Sequence, residues 1–140
     1  MKTPQQIQTL VNDALAGEYG EFRPRALFDA RLDCIRVVTR DCSVTETRIN
    51  ELLTVLEANY PRGRKCVGFT IKGANFLCHK YGLNTSGVKV TAVLDAVLEA
   101  SPSVIVEAFV DHVARPLVRD ANIEDIERID EIQLSQPVPV

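Results

Sequence analysis

The sequence predicts an α+β fold: a small antiparallel β-meander packed against an N-terminal helix and a C-terminal helical half. Three observations carry that expectation. Turn-bounded runs rich in β-branched residues cluster between residues 26 and 71. Apolar residues recur at helical spacing over residues 7–15 and 88–113. The chain has 140 residues, 46% hydrophobic and 25% charged, which suits one globular domain with a sizeable core. We place that domain over 1–133, followed by a mobile tail over 134–140 that contains Pro137 and Pro139. Trp is absent, so Val, Leu and Ile must supply most of the core.

The first helix is marked by its ends. Thr3 is placed to cap it, Pro4 sits at the first helical position, and Gln6 completes a capping-box pattern. Ile7, Leu10, Val11, Ala14 and Leu15 share one face, and Gly17 ends the helix. Residues 18–25 read as a loop. Ala26 to Arg31 reads as a short strand and Cys34 to Arg40 as a second, with Arg36 and Arg40 on one face and Ile35 and Val37 on the other. Asp41-Cys42-Ser43 reads as a turn.

Residues 44–58 admit two readings. Ser43 with Glu46 resembles a capping box, and Ile49, Leu52, Leu53 and Leu56 fit a helix face. The β-branched composition of Val44 to Ile49 suits a strand instead, with a second over Leu52 to Glu57. Tyr60 to Arg64 is a turn and Cys66 to Ile71 a strand. A short helix over Gly73 to Tyr81 stops at Gly82. Val88 to Ala100 forms a helix with Val90, Val93, Leu94, Val97 and Leu98 on one face. Ser101-Pro102 restarts a helix whose face carries Val104, Ile105, Ala108, Phe109, His112 and Val113, with Pro116 kinking or ending it. Asn122 caps a last helix bearing Ile123, Ile126 and Ile129.

The net charge of −3 gives no bulk reason to bind nucleic acid or an anionic membrane. The charge is uneven, however. Residues 1–83 hold 12 basic against 9 acidic side chains, and residues 84–140 hold 4 against 10. The acidic Glu124, Asp125, Glu127, Asp130 and Glu131 are therefore the expected contact for a basic protein partner. The N-terminus lacks an apolar signal core and no apolar run reaches the roughly 20 residues of a membrane span. The expected location is cytoplasmic, with no membrane partner and with reduced thiols at Cys34, Cys42, Cys66 and Cys78.

Phe28-Asp29, Asp33, Ile35 and Val37, then Val44-x-Glu46-x-Arg48, then Gly63-Arg64 and Val67-Gly68-Phe69-Thr70-Ile71, form a spaced pattern. Over residues 28–72 it resembles a short bacterial β-meander domain family of unknown function, with the pattern YDxxxDxxYI, VxExR, GRxVGIxI. The resemblance implies that residues 44–58 are two strands joined at Asn50-Glu51, and that the aspartates are turn residues. Members of that family lie near toxin-like genes, which implies an antitoxin-like or immunity-like role in partner binding.

Other chemistries find less support. No C-x₂₋₄-C or H-x₃₋₅-H spacing joins the cysteines, His79 and His112, so no metal or cofactor is expected. Cys78, His79 and Asp111-His112 supply the residue types of a small Cys/His enzyme without the spacing that would place them together. Gly68 to Gly73 lacks the glycine density of a phosphate loop, and Lys72 is not followed by Ser or Thr. Asp29 and Asp33 lie in a turn with no apolar pocket to raise a carboxyl pKa. Arg36, Arg40, Arg62, Arg64 and Lys65 could track phosphates from a sheet face, but no interleaved aromatics accompany them. The C-terminal helices are apolar over much of their circumference, which points to burial by a second copy in a homodimer. The expected function is a non-enzymatic protein-interaction module.

Overall fold

The computed structural model describes residues 3–8, 22–60, 65–84 and 87–128. Five strands follow one another along the chain: β1 (Arg25–Asp29), β2 (Cys34–Val38), β3 (Val44–Arg48), β4 (Leu53–Ala58) and β5 (Cys66–Lys72). Then come α1 (Ala74–Lys80), α2 (Val90–Ala100), α3 (Val104–Phe109), a π-helical turn at Val110–Ala114, α4 (Arg115–Asp120) and β6 (Ile126–Arg128). The strands form one sheet in the order β3-β4-β5-β2-β1-β6. Every pairing is antiparallel except the last, β1 with β6. The fold is α+β.

Period-two alternation decides which sheet face is buried. Ala26 and Phe28, Ile35 and Val37, Leu53, and Phe69 and Ile71 point to one face and form the sheet side of the core. Leu77, Val93, Leu94, Val97, Val106 and Val110 close it from the helical side. Phe69 and Phe109 meet edge to face at 5.9 Å across this boundary.

Residues 44–58 are two strands. The helix periodicity fails at Asn50, whose Oδ1 accepts from the backbone N–H groups of Leu52 (2.9 Å) and Leu53 (2.8 Å). These local bonds favour a turn over a continuous helix. Its Nδ2 donates to Ser101 Oγ at 3.1 Å, tying the hairpin to the end of α2. Asp29 is a turn residue, accepting from the Arg31 N–H at 3.0 Å. Asp33 does more. Its main-chain oxygen accepts from Gly73 and Ala74 and its carboxylate from the Asn75 N–H at 2.8 Å, so the β1–β2 turn holds the start of α1.

Helix ends follow local rules. Thr3 and Gln6 form the expected capping box, each main-chain N–H donating to the other's side chain. Gly82 adopts φ +66° and ends α1, with the Leu83 N–H returning to the Cys78 oxygen at 2.7 Å. The later helices depart from expectation at three points. The cap of α3 is Ser103, whose Oγ accepts from Val106 N–H; Ser101 instead ends α2. Pro116 does not end the helix. The π turn before it widens the rod where a proline ring would clash with the carbonyl four residues back. The buried face comprises Val106, Phe109, Val110, Ala114 and Val118, and Val104, Ile105, Ala108 and His112 are exposed instead.

The expected last helix is a strand. Asn122 has φ +56° and terminates α4, with the Ile123 N–H donating to the Val118 oxygen at 2.9 Å. Ile126 then pairs with Ala26 along the edge of β1, where tertiary pairing overrides helical spacing. Most of the first helix, the turn at 61–64, Ile129 and the 134–140 tail lie outside the described residues.

A Cβ built on Gly68 would stand 2.1 Å from the Val37 oxygen and 3.2 Å from Leu56 Cδ1. We expect Gly68→Ala to destabilise the protein by about 1–3 kcal/mol, the usual cost of overpacking a close-packed interior. Urea denaturation of the two proteins checks this.

Candidate functional site

The sheet face turned away from α1–α4 carries a different set of side chains. Register aligns Leu27, Arg36, Thr70, Thr54 and Arg48 in one row across β1, β2, β5, β4 and β3. Cys34 and Lys72 form a neighbouring pair on the same face. Thr70 and Thr54 are only 7% and 6% exposed and are the buried polar residues among those described. A cavity of about 540 Å³ lies over them, with Arg36, Arg48, Lys72 and Glu46 around it and Leu32 and Cys34 completing its wall.

One ion pair crosses this cavity. Arg36 Nη1 donates to Glu46 Oε1 at 3.2 Å. Arg36 is on β2 and Glu46 on β3, with β5 and β4 between them. Both side chains therefore lie along the sheet, over the rows that contain Thr54, Thr70, Leu56 and Gly68. Arg48 donates through Nε to the Asn50 oxygen at 3.0 Å. Neither Arg48 nor Lys72 has an ion-pair partner among the described residues. The Thr70 Oγ1 is buried with no hydrogen-bond partner. Such an atom is rare in folded proteins, because unmet polar groups retain the cost of losing water.

Three thiols, Cys34, Cys66 and Cys78, are favoured in their protonated form. Burial pushes the Cys34 pKa above its ordinary 9.0, with further increases from Asp29 and Asp33 that outlast the opposing Arg36 and Lys72. Burial raises Cys66 as well, with a further rise from Glu57, against an opposing backbone hydrogen bond at Gly68. Burial and then Asp33 raise Cys78. Cys78 is in the core while the adjacent His79 and the distant His112 are exposed, so the three do not converge on a cleft. No group of three His, Cys, Asp or Glu side chains able to hold a metal occurs among the described residues.

The acidic stretch is partly neutralised from within. Lys89 Nζ lies 2.8 Å from Asp125 and 3.7 Å from Glu124, and Arg23 Nη2 lies 2.6 Å from Glu127. Asp130 and Glu131 lie outside the described residues, as do Arg62 and Arg64. Arg40 and Lys65 are exposed beyond the strand ends, and of the three expected phosphate contacts among the described residues Arg36 lines the cavity.

Thr54, Thr70, Arg48 and Lys72 were not anticipated as site residues. Their signal was present in the alternation of Val67, Phe69 and Ile71 with Gly68, Thr70 and Lys72, which assigns the second set to the outer face. No helix among the described residues is long and apolar enough to cross a membrane. Neither the family models, the curated proteins nor the solved structures compared with this chain yield a match.

The raised thiol pKa values set a sign for stability against pH. Between the unfolded value of 9.0 and the higher folded values, the native state binds more protons than the unfolded state. Stability therefore falls as pH rises through about 9 and is unaffected by these groups below it. Urea melts at pH 7.5 and pH 9.5 should show this loss, and Cys78→Ala should reduce it.

Proposed function

We propose that this chain is a non-enzymatic interaction module that binds another protein chain through the outer side of α3. The observation that carries this reading is the exposure of Val104 (82%) and Ile105 (67%), followed one turn later by exposed Ala108. The same short helix buries Val106 and Phe109 in the core. It is thus apolar on two sides, and only one of them is covered by its own domain. Large aliphatic side chains held this open to water gain most from a partner surface, and a few such anchors dominate many interfaces.

The partner we favour is a second copy, related by a two-fold axis that brings the two α3 faces together. The family resemblance supports a partner-binding role of the antitoxin-like or immunity-like kind, with the acidic Glu124, Asp125 and Glu127 as contacts for a basic protein. Their pairing with Lys89 and Arg23 lowers the charge available for that purpose, which is why the apolar face ranks first. Nucleic-acid binding is the second reading, favoured by Arg36 and Arg48 on one sheet face and weakened by the absence of aromatic residues in their row.

Sedimentation equilibrium should give twice the chain mass of 15.5 kDa for the wild type. Val104→Asp combined with Ile105→Asp should return it to the single-chain mass with unchanged circular dichroism, since both residues lie outside the core. A monomeric wild type would refute the homodimer.

A further inference from the structure

We propose that the cavity on the outer sheet face binds a small phosphate monoester. This site is separate from the outer side of α3 and does not depend on the interaction reading. Its charge is the first argument. Arg36, Arg48 and Lys72 face a single carboxylate, Glu46, so the lining is cationic in a chain whose net charge is −3. A phosphate monoester carries between about −1.5 and −2 at neutral pH. An internal phosphodiester carries one charge per phosphate and suits this excess less well.

The second argument is Thr70. Thr70 is among the residues lining the cavity, and its hydroxyl is buried with no hydrogen-bond partner. A hydroxyl can donate to a phosphate oxygen, and doing so removes the penalty of an unmet buried polar group. The third argument is the state of Arg36. It is held by Glu46 through an exposed ion pair, and such pairs are weak. A phosphate offers the planar guanidinium a stronger, two-pronged contact. The Glu46 carboxylate thus occupies the place that the ligand takes over, and the exchange uncovers the Thr70–Thr54 floor. The volume of about 540 Å³ falls in the range of small-molecule sites and leaves room for an organic group beside Leu32 and Cys34.

Amide chemical-shift titration of the full chain tests the proposal with three probes: inorganic phosphate, ribose 5-phosphate, and a short single-stranded DNA lacking terminal phosphates. Both phosphate probes should shift the amides of Arg36, Thr54 and Thr70 at millimolar concentration, with ribose 5-phosphate the tighter. Thr70→Val keeps the shape of the side chain and removes the unmet hydroxyl. It should weaken ribose 5-phosphate about tenfold without lowering the melting temperature. Glu46→Gln removes the competing carboxylate and should tighten binding about threefold or more. Absence of shifts with both phosphate probes, or unchanged affinity in Thr70→Val, would overturn the site. Binding of the DNA on this face without binding of ribose 5-phosphate would overturn it in favour of nucleic acid.

Discussion

The close approach of β5 to its two neighbours is the constraint on which the remaining architecture rests. β5 lies between β4 and β2, so it alone joins the hairpin of residues 44–58 to the hairpin of residues 25–38. At Gly68 the backbone leaves no room for a Cβ against the Val37 oxygen, and Leu56 packs over the gap. A bulge in the β4–β5 pairing falls at this same place, between Leu56 and Glu57. From there the alternation of β5 sends Phe69 and Ile71 inward and Thr70 and Lys72 outward. Core and cavity are thus the two sides of one strand.

That strand also orients the helices. β5 ends at Lys72, and Gly73, with φ +69°, turns the chain into α1. Asp33 receives the first N–H groups of that helix from the β1–β2 turn, so the direction of α1 follows the register of a hairpin formed some forty residues earlier. Arg115 performs a similar office at the other end. It bridges Asp95 on α2 and Asp111 on the π turn, at 2.5 and 3.2 Å. The contact pins the widened turn to its neighbour. Buried residues at 106, 110, 114 and 118 recur every four positions, which a regular helix of 3.6 residues per turn would carry round by about 40° at each step. The wider turn corrects that drift and keeps Ala114 and Val118 in line with Val106 and Val110.

Much of this was legible in the chain. The capping box at Thr3, the glycine stop at Gly82 and the alternation of β5 are local signals, and local physics decided them. The reading of 44–58 stood open because apolar spacing and β-branched composition disagreed there. It was resolved by Asn50, whose side chain makes bonds that a pattern of apolar residues does not encode. The face of α3 was misassigned because that helix is apolar on two sides, with Val104 and Ile105 opposite Val106 and Phe109, and only tertiary packing chooses between them. Ile123 and Ile126 were read as helical because their partner, the edge of β1, lies a hundred positions away. The cavity was not anticipated, since its residues come from four strands and meet only once register is fixed.

That distance has a consequence for the order in which the protein can be completed during synthesis. Ala26 and Phe28 emerge from the ribosome early, and the segment that pairs with them, Ile126–Arg128, emerges about a hundred residues later. At typical rates of roughly 5–20 residues per second, the outer edge of β1 stays unsatisfied for several seconds. The parallel pairing cannot form by simple folding back of a hairpin, and no nearer strand among the described residues pairs with this edge. A nascent chain halted before residue 126 would expose an unpaired strand edge beside a nearly finished core, which is the kind of surface that holding chaperones recognise.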